Sequence, residues 1–255
     1  MSAPRVLFLD IETAPNLSWV WGKWEQNVID VHTHWYMLSF AWKWKDGGGV
    51  KCLALPDFPP LYSKDKENDS ELLKQLWFLL DDADVIIAHN ADAFDIKKTT
   101  ARFLYHKMKP PSPFKTIDTL KMARRYFRMD SNKLDDLGSY LRLGRKLPHT
   151  GKNLWFGCMA GKPSAWKMMK RYNRHDIALL EAVYERLKPW AANHPDLGIY
   201  ASQPRPACPT CQSSSVWARG VYYAKKLRYK QWVCKACGHW FHGERLNWFH
   251  GERLK

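Results

Sequence analysis

Residues 6–13, VLFLDIET, place Asp10 and Glu12 in a run that otherwise reads as a buried strand. A strand turns every second side chain to the same face, so the two carboxylates stand on one side of the sheet. Like charges set side by side are costly in desolvation and repulsion unless a cation, a hydrogen-bond network or solvent takes up the charge. Whatever this chain folds into has to bring such a partner to its first strand.

The patterns downstream predict an α/β protein. The apolar and aromatic WYMLSFAWKW (35–44), the turn DGGG (46–49) and VKCLAL (50–55) read as a hairpin that continues the sheet. The polar, Pro-rich stretch 56–70 reads as loop, and SELLKQLWFLLDDA (70–83) as an amphipathic helix capped by Asp69 or Ser70. A strand at 84–89, a helix at 93–108, a strand at 114–119 and helices at 120–127, 133–143 and 163–187 follow. Strands that hairpin first and then alternate with helices predict a mixed sheet flanked by helices.

The chain has 40 Lys and Arg against 25 Asp and Glu, a formal charge of +15, which points to a polyanionic partner. No stretch approaches the ~20 apolar residues of a membrane span, and the N-terminus runs into a strand without an apolar signal segment. A cytoplasmic protein is therefore expected. Six of the 14 Trp fall between residues 19 and 44. A Trp in an apolar strand is core more often than a stacking platform, and core is the reading adopted for them.

Further acids fall where strands and helices meet the sheet's edge. In AHNADAFD (88–95), Asn90 is placed to cap and Asp95 falls in the first turn of the next helix. In KRYNRHDIALL (170–180), Tyr172 and Asp176 are four apart on one helix face. Asp10, Glu12, Asp95 and Asp176 would thus form a cluster that needs cations, and hard oxygen ligands favour Mg²⁺ or Mn²⁺. Two such ions suit phosphodiester cleavage, one activating water and the other steadying the leaving oxygen. Asp92 reads as a first-turn acid, Asp118 as a cap, and Asp135 and Asp136 as surface charges. The basic, glycine-rich 144–161 fits a wall of a substrate path and a plain connection equally well.

FLDIET, HNADAFD and YNRHD, in this order, resemble the three motifs of the DnaQ-like (DEDD) 3′–5′ exonucleases, a superfamily with a ribonuclease H-like fold. The resemblance spans roughly residues 5–187. It implies that Asp10, Glu12, Asp95 and Asp176 hold two Mg²⁺ or Mn²⁺ ions and that the attacking water lies beside the third motif. One branch carries His five residues before the last Asp, here Arg171, and the other Tyr four before it, here Tyr172, so the chain is DEDDy-like. A phenol of pKa ≈ 10 is a poor base at neutral pH, and Tyr172 is expected to orient the attacking water through its hydroxyl. His175, about 100° around the helix from Asp176, reads as a bystander.

Cys208, Cys211, Cys234 and Cys237 form CPTC and CKAC, 22 residues apart. Paired C-x-x-C knuckles at such spacing resemble a four-cysteine zinc ribbon, in which one Zn²⁺ folds a peptide too small for a core. Between them, aromatics alternate with Lys225, Lys226, Arg228 and Lys230, as in a β-hairpin that contacts nucleic acid; Asn90 is a further candidate contact, and a replication or repair protein is the rival partner of the ribbon. Cys52 reads as a small core residue, and Cys158 is left undecided.

The expected organisation is an exonuclease domain over 1–190, a linker over 191–204, a zinc ribbon over 205–246 and a duplicated tail over 247–255, since WFHGERLN is followed at once by WFHGERLK. The expected function is metal-dependent 3′–5′ exonucleolytic hydrolysis, with DNA ahead of RNA, as in phage-encoded or stand-alone enzymes acting in the host or cell cytoplasm. The alternatives are a structure-selective endonuclease on the same ribonuclease H-like core and a non-catalytic zinc-ribbon nucleic-acid-binding protein.

Overall fold

The computed structural model describes residues 4–24, 27–200 and 206–246; the second copy of the duplicated octapeptide lies outside the described residues. The chain divides into two compact units, residues 5–184 and residues 185–255 together with the first four.

The larger unit is built on β1 (Val6–Thr13), which is buried on both faces along its first half. It pairs antiparallel with β4 (Met37–Trp44), which pairs antiparallel with β5 (Gly47–Ala54). On its other side β1 pairs parallel with β6 (Val85–Ala88), and β6 pairs parallel with β7 (Lys115–Asp118). The order β5-β4-β1-β6-β7 is the mixed sheet that a leading hairpin followed by β-α-β alternation dictates. The β4–β5 turn falls at Lys45 and Asp46, earlier than the glycines suggested, and Gly47 to Gly49 enter β5. As β5 is an edge strand, its exposed glycines leave no cavity.

Side-chain alternation on β1 assigns its two faces. Leu7, Leu9 and Ile11 enter the main core with Leu72, Leu73, Leu76 and Leu80 of α2 (Ser70–Asp81), whose spacing draws one apolar stripe. On the opposite face, Phe8 packs edge-on against Tyr184, ring centroids 5.7 Å apart, and Asp10 meets Asn173. Both partners belong to α7 (Pro163–Leu187), which opens on a proline, where the missing N–H costs nothing, and gives way to Lys188–Pro189. The sheet is thus covered on both faces, as expected.

Three segments outside the expected strands and helices carry structure. Between β1 and β4, β2 (Leu17–Trp19) pairs antiparallel with β3 (Asp30–Thr33) as a two-stranded ribbon of its own. A short helix, α1 (Pro59–Tyr62), interrupts the Pro-rich stretch, and another, α6 (Lys152–Met159), occupies the basic 144–161 segment after Gly151, whose φ of 59° is left-handed. Between them lie α3 (Asp95–Tyr105), α4 (Thr119–Tyr126) and α5 (Leu134–Tyr140).

The smaller unit contains a three-stranded antiparallel sheet, β8 (Val216–Tyr223), β9 (Arg228–Cys234) and β10 (Trp240–Leu246), ordered β10-β9-β8. The first copy of the duplicated octapeptide supplies β10, so the hairpin expected between the knuckles gains a third strand. The stretch read as linker is preceded by a short 3-10 turn, Lys188–Trp190, and contains another, Leu197–Tyr200; Leu197 is buried, its N–H donating to the Pro209 carbonyl at 2.9 Å.

Candidate functional site

Parallel β1 and β6 run the same way, so their carboxyl ends share one edge of the sheet, where ligand sites of α/β sheets gather. Asp10 and Glu12 lie at that end of β1, and Asp95 is the first residue of α3, after β6. Asp176 comes from α7, which crosses the same face of β1. The carboxylate oxygens of Asp10, Glu12 and Asp176 lie within 4.8 Å of one another. Asp95 stands outside that mutual set and accepts a hydrogen bond from the Ile11 N–H at 3.2 Å. Asp176 and Asp95 are buried, whereas Asp10 and Glu12 are partly open to solvent.

The surrounding side chains hold these carboxylates in place. Asn173, one turn before Asp176, donates to Asp10 Oδ2 at 2.5 Å and accepts at its Oδ1 from Ser39 Oγ at 3.0 Å. The Trp155 indole of α6 donates to Glu12 Oε2 at 3.2 Å. Lys146 Nζ donates to Asp176 Oδ2 at 2.6 Å and to the Tyr172 hydroxyl at 3.1 Å. Lys146 is itself set by Asp135, whose carboxylate accepts its backbone N–H at 2.8 Å. Asp135 is thus more than a surface charge.

Burial, and then the neighbouring Asp176, pushes the Asp10 carboxyl up to about 7. Burial with Asp10 beside them raises Glu12 and Asp95, and burial raises Asp176 against the opposing pull of Lys146. Burial disfavours the Lys146 ammonium, but Asp176 and Asp10 outweigh it and hold the lysine well above its usual range. Burial also raises Tyr172, which therefore keeps its proton at neutral pH.

Among the described residues, one lysine ammonium pairs into this group of four carboxylates, which leaves the edge short of cations. Asp176 Oδ1 is buried without a hydrogen-bond partner. Crowded hard oxygens with an orphaned buried acceptor fit Mg²⁺ or Mn²⁺.

Other residues singled out in the sequence take structural parts. Asp118 caps α4 through the N–H groups of Leu120 and Lys121 and also holds the N–H of Asn90 at 3.0 Å. Asn90 does not cap α3. It adopts φ 70°, and its carbonyl receives the N–H groups of Ala93 and Phe94. Asp92 pairs with Lys121 at 2.6 Å, and Asp136 accepts from Ser131. His175 Nε2 lies 2.7 Å from the Arg145 carbonyl. Cys158 is buried, Cys52 partly so, and burial raises both thiols to about 12.

In the smaller unit, the four cysteine sulfurs also lie within 4.8 Å of one another, with Cys208 to Cys237 at 3.7 Å and Cys211 to Cys234 at 3.5 Å. A tetrahedron with Zn–S bonds of ~2.3 Å has edges of about 3.8 Å, so the donor set fits a zinc ion. The knuckles match: N–H groups of Thr210 and Cys211 serve Cys208, and those of Ala236 and Cys237 serve Cys234. Lys225 and Lys226 are exposed at the β8–β9 turn. Arg228 and Lys230 alternate with Trp232 on one face of β9, Lys230 Nζ lying 4.7 Å from the Trp232 ring.

Sequence reasoning missed Asn173, Lys146 and Trp155. Asn173 was within reach, since it lies three residues before Asp176 on the same helix face. Lys146 and Trp155 arrive from a turn and a short helix distant in sequence, and no spacing rule ties them to the acids.

The profile of the RNase_H superfamily matches residues 54–188, just over half of the chain, a span that contains Asp95, Tyr172 and Asp176 and begins after Asp10 and Glu12. A comparison with curated proteins returns no match. Among solved structures, the family B DNA polymerase from the hyperthermophilic archaeon Pyrobaculum calidifontis is similar in fold, with a TM-score of 0.54 and 14% identity over 90% of this chain. The chain spans about a third of that polymerase's length, 32%. With its mixed five-stranded sheet, flanking helices and acid-lined edge, the chain belongs to the RNase H superfamily.

Proposed function

We propose that the chain is a metal-dependent 3′–5′ exonuclease of the DEDDy kind, acting on nucleic acid, with DNA preferred to RNA. The observation that carries this reading is the convergence of Asp10, Glu12 and Asp176, with Asp176 Oδ1 left without a hydrogen-bond partner and Asp95 close enough to Asp10 to be raised by its charge. Asp10, Glu12, Asp95 and Asp176 would hold two Mg²⁺ or Mn²⁺ ions, which when bound supply activation of the attacking water and stabilisation of the leaving 3′ oxygen.

The chain's own groups set the geometry of hydrolysis. Asn173 and Trp155 fix the rotamers of Asp10 and Glu12. Tyr172, kept protonated, orients the attacking water through its hydroxyl, and Lys146 holds that hydroxyl in register with Asp176. Water adds to the terminal phosphorus, the bond to the 3′ oxygen breaks, and a nucleoside 5′-monophosphate leaves a chain with a new 3′ hydroxyl. In the smaller unit, Cys208, Cys211, Cys234 and Cys237 would hold one Zn²⁺, and Lys225, Lys226, Arg228 and Lys230 would add grip on the phosphate backbone.

A digestion of 5′-labelled DNA and RNA oligonucleotides with Mg²⁺ or Mn²⁺ tests the reading. A ladder shortening one nucleotide at a time from the 3′ end is expected. Discrete internal cuts would replace the exonuclease by an endonuclease on the same core, and binding without cutting would leave only the nucleic-acid-binding role.

A further inference from the structure

The ribbon between β1 and β4 is the part of the larger unit that the proposed chemistry leaves without a task. Its Trp19, Trp21 and Trp24 are 61%, 88% and 74% exposed, so the core reading fails for half of the six tryptophans between residues 19 and 44. The base of the ribbon is fixed: the Ala14 N–H donates to the Tyr36 carbonyl at 2.9 Å, and the Trp35 N–H to Asn16 Oδ1 at 2.8 Å. An open cavity of about 500 Å³ begins at that base, between Thr13, Asn16 and Trp35, and runs to His149 and Trp155. Trp155 is the residue that bonds Glu12, so the cavity leads from the base of the ribbon to the acid cluster.

The cavity is positively charged, while on the ribbon Asp30 stands opposite Trp19. Lys98 and Lys152 line the cavity, and no carboxylate does. Lys98 Nζ lies 3.7 Å over the Trp35 ring, and among the described residues it has no carboxylate partner; Lys23 lies 5.1 Å from the Trp24 ring. Exposed indoles on the ribbon and ammonium groups beside Trp24 and Trp35 suit a ligand that offers both flat π faces and phosphates. In a duplex those faces are already stacked on one another, so the match is to unpaired bases.

We propose that the β2–β3 ribbon and the cavity at its base bind unpaired single-stranded oligonucleotide, with bases stacked on Trp19, Trp21 and Trp24 and phosphates drawn to Lys98 and Lys152. The proposal rests on the nuclease reading for what brings a strand to this edge, and it adds to that reading a preference for single strands several nucleotides long.

The test is binding of fluorescein-labelled oligothymidylates of 4, 8 and 16 nucleotides, and of a 16-base-pair duplex, to the full chain with zinc retained and without added Mg²⁺ or Mn²⁺. The variants are Trp19→Ala/Trp21→Ala/Trp24→Ala, the single Trp21→Ala at the most exposed of the three, the triple Phe variant, and Phe78→Ala as an exposed aromatic of α2 outside the path. Loss of stacking predicts that the triple Ala variant binds the 16-mer at least tenfold more weakly, about 1.4 kcal/mol, with a weaker dependence on length. Trp21→Ala should fall between it and the wild type, the Phe variant should keep most of the affinity, and Phe78→Ala should bind as the wild type does. Wild-type affinity for the 16-mer within twofold in both the triple Ala variant and Trp21→Ala would overturn the proposal. So would a wild-type dimer that the triple variant converts to monomer, which would make the ribbon an interface between copies. Cleavage with Mg²⁺ is scored separately: a wild type that binds the 16-mer through these tryptophans but leaves it uncut would refute the nuclease reading and leave this one standing.

Discussion

Asp10 and Glu12 were legible because a period of two in an apolar strand leaves no other place for them, and Asp176 because helical spacing ties it to Tyr172. The charge balance around them was not, since Lys146 approaches from a turn whose position only the fold determines. That balance has a measurable consequence. The Asp10 carboxyl is raised to about 7, above its ordinary value near 4, so the folded chain binds a proton there that the unfolded chain has released. The favourable contribution is complete below about pH 4 and is lost as the pH rises to about 7 and beyond. Without added Mg²⁺ or Mn²⁺, Asp10→Asn should therefore melt higher than the wild type at pH 8, with the difference vanishing near pH 4, and the rise in Tm that Mg²⁺ gives the wild type should shrink. A variant that melts lower at pH 8 would contradict the charge-crowding account. Tyr172→Phe removes only a hydroxyl, so it should slow single-turnover cleavage by about 10²-fold or less while keeping the Mn²⁺-induced shift in Tm. An unchanged rate would take Tyr172 out of the mechanism.

Elements with long, strongly periodic patterns were readable, whereas short ones were not. The Leu72, Leu73, Leu76 and Leu80 stripe marks α2 unambiguously, and the 25-residue α7 was found with its bounds. The ribbon β2–β3 escaped because strands of three and four residues with exposed Trp and His carry no alternation to detect. The start of α2 shows a subtler difference. Asp69 occupies the cap position, yet its carboxylate does not cap; it receives Arg102 of α3 at 2.6 and 2.8 Å and the Met37 N–H of β4 at 2.8 Å, with His106 Nε2 2.7 Å away. A fully buried acid that joins α2, α3 and β4 becomes a liability once its arginine is removed. Arg102→Met should lower unfolding free energy by about 3–5 kcal/mol in urea titrations, the range for breaking one side of a buried pair. A loss below about 1 kcal/mol would mean that His106 alone satisfies Asp69.

For the whole molecule, the charge of +15 pointed to a polyanionic partner and the cysteine spacing to four sulfurs brought together, but neither could say how the positive charge is laid out. Residues 201–255 carry ten Lys or Arg against two Glu, and Lys225 and Lys226 stand exposed at the β8–β9 turn, whereas Lys230 lies along Trp232. Charges at a solvent-exposed turn act on a phosphate backbone through counterion release, which changes the slope of log affinity against log salt by ~0.7 to 0.9 for each phosphate that the protein no longer neutralises. The acid cluster lies in the other unit and keeps its residues when the turn is altered. In a catalytically silenced Asp10→Ala background, Lys225→Gln/Lys226→Gln should therefore flatten the salt slope for a long oligonucleotide by up to about 2, with the four cysteines still binding one zinc. Cys234→Ser/Cys237→Ser should flatten it at least as much while releasing the zinc, because a sheet this small loses its fold without the metal. Slopes equal to the wild type in both variants would mean that the positive face of the smaller unit meets a protein and not the substrate strand.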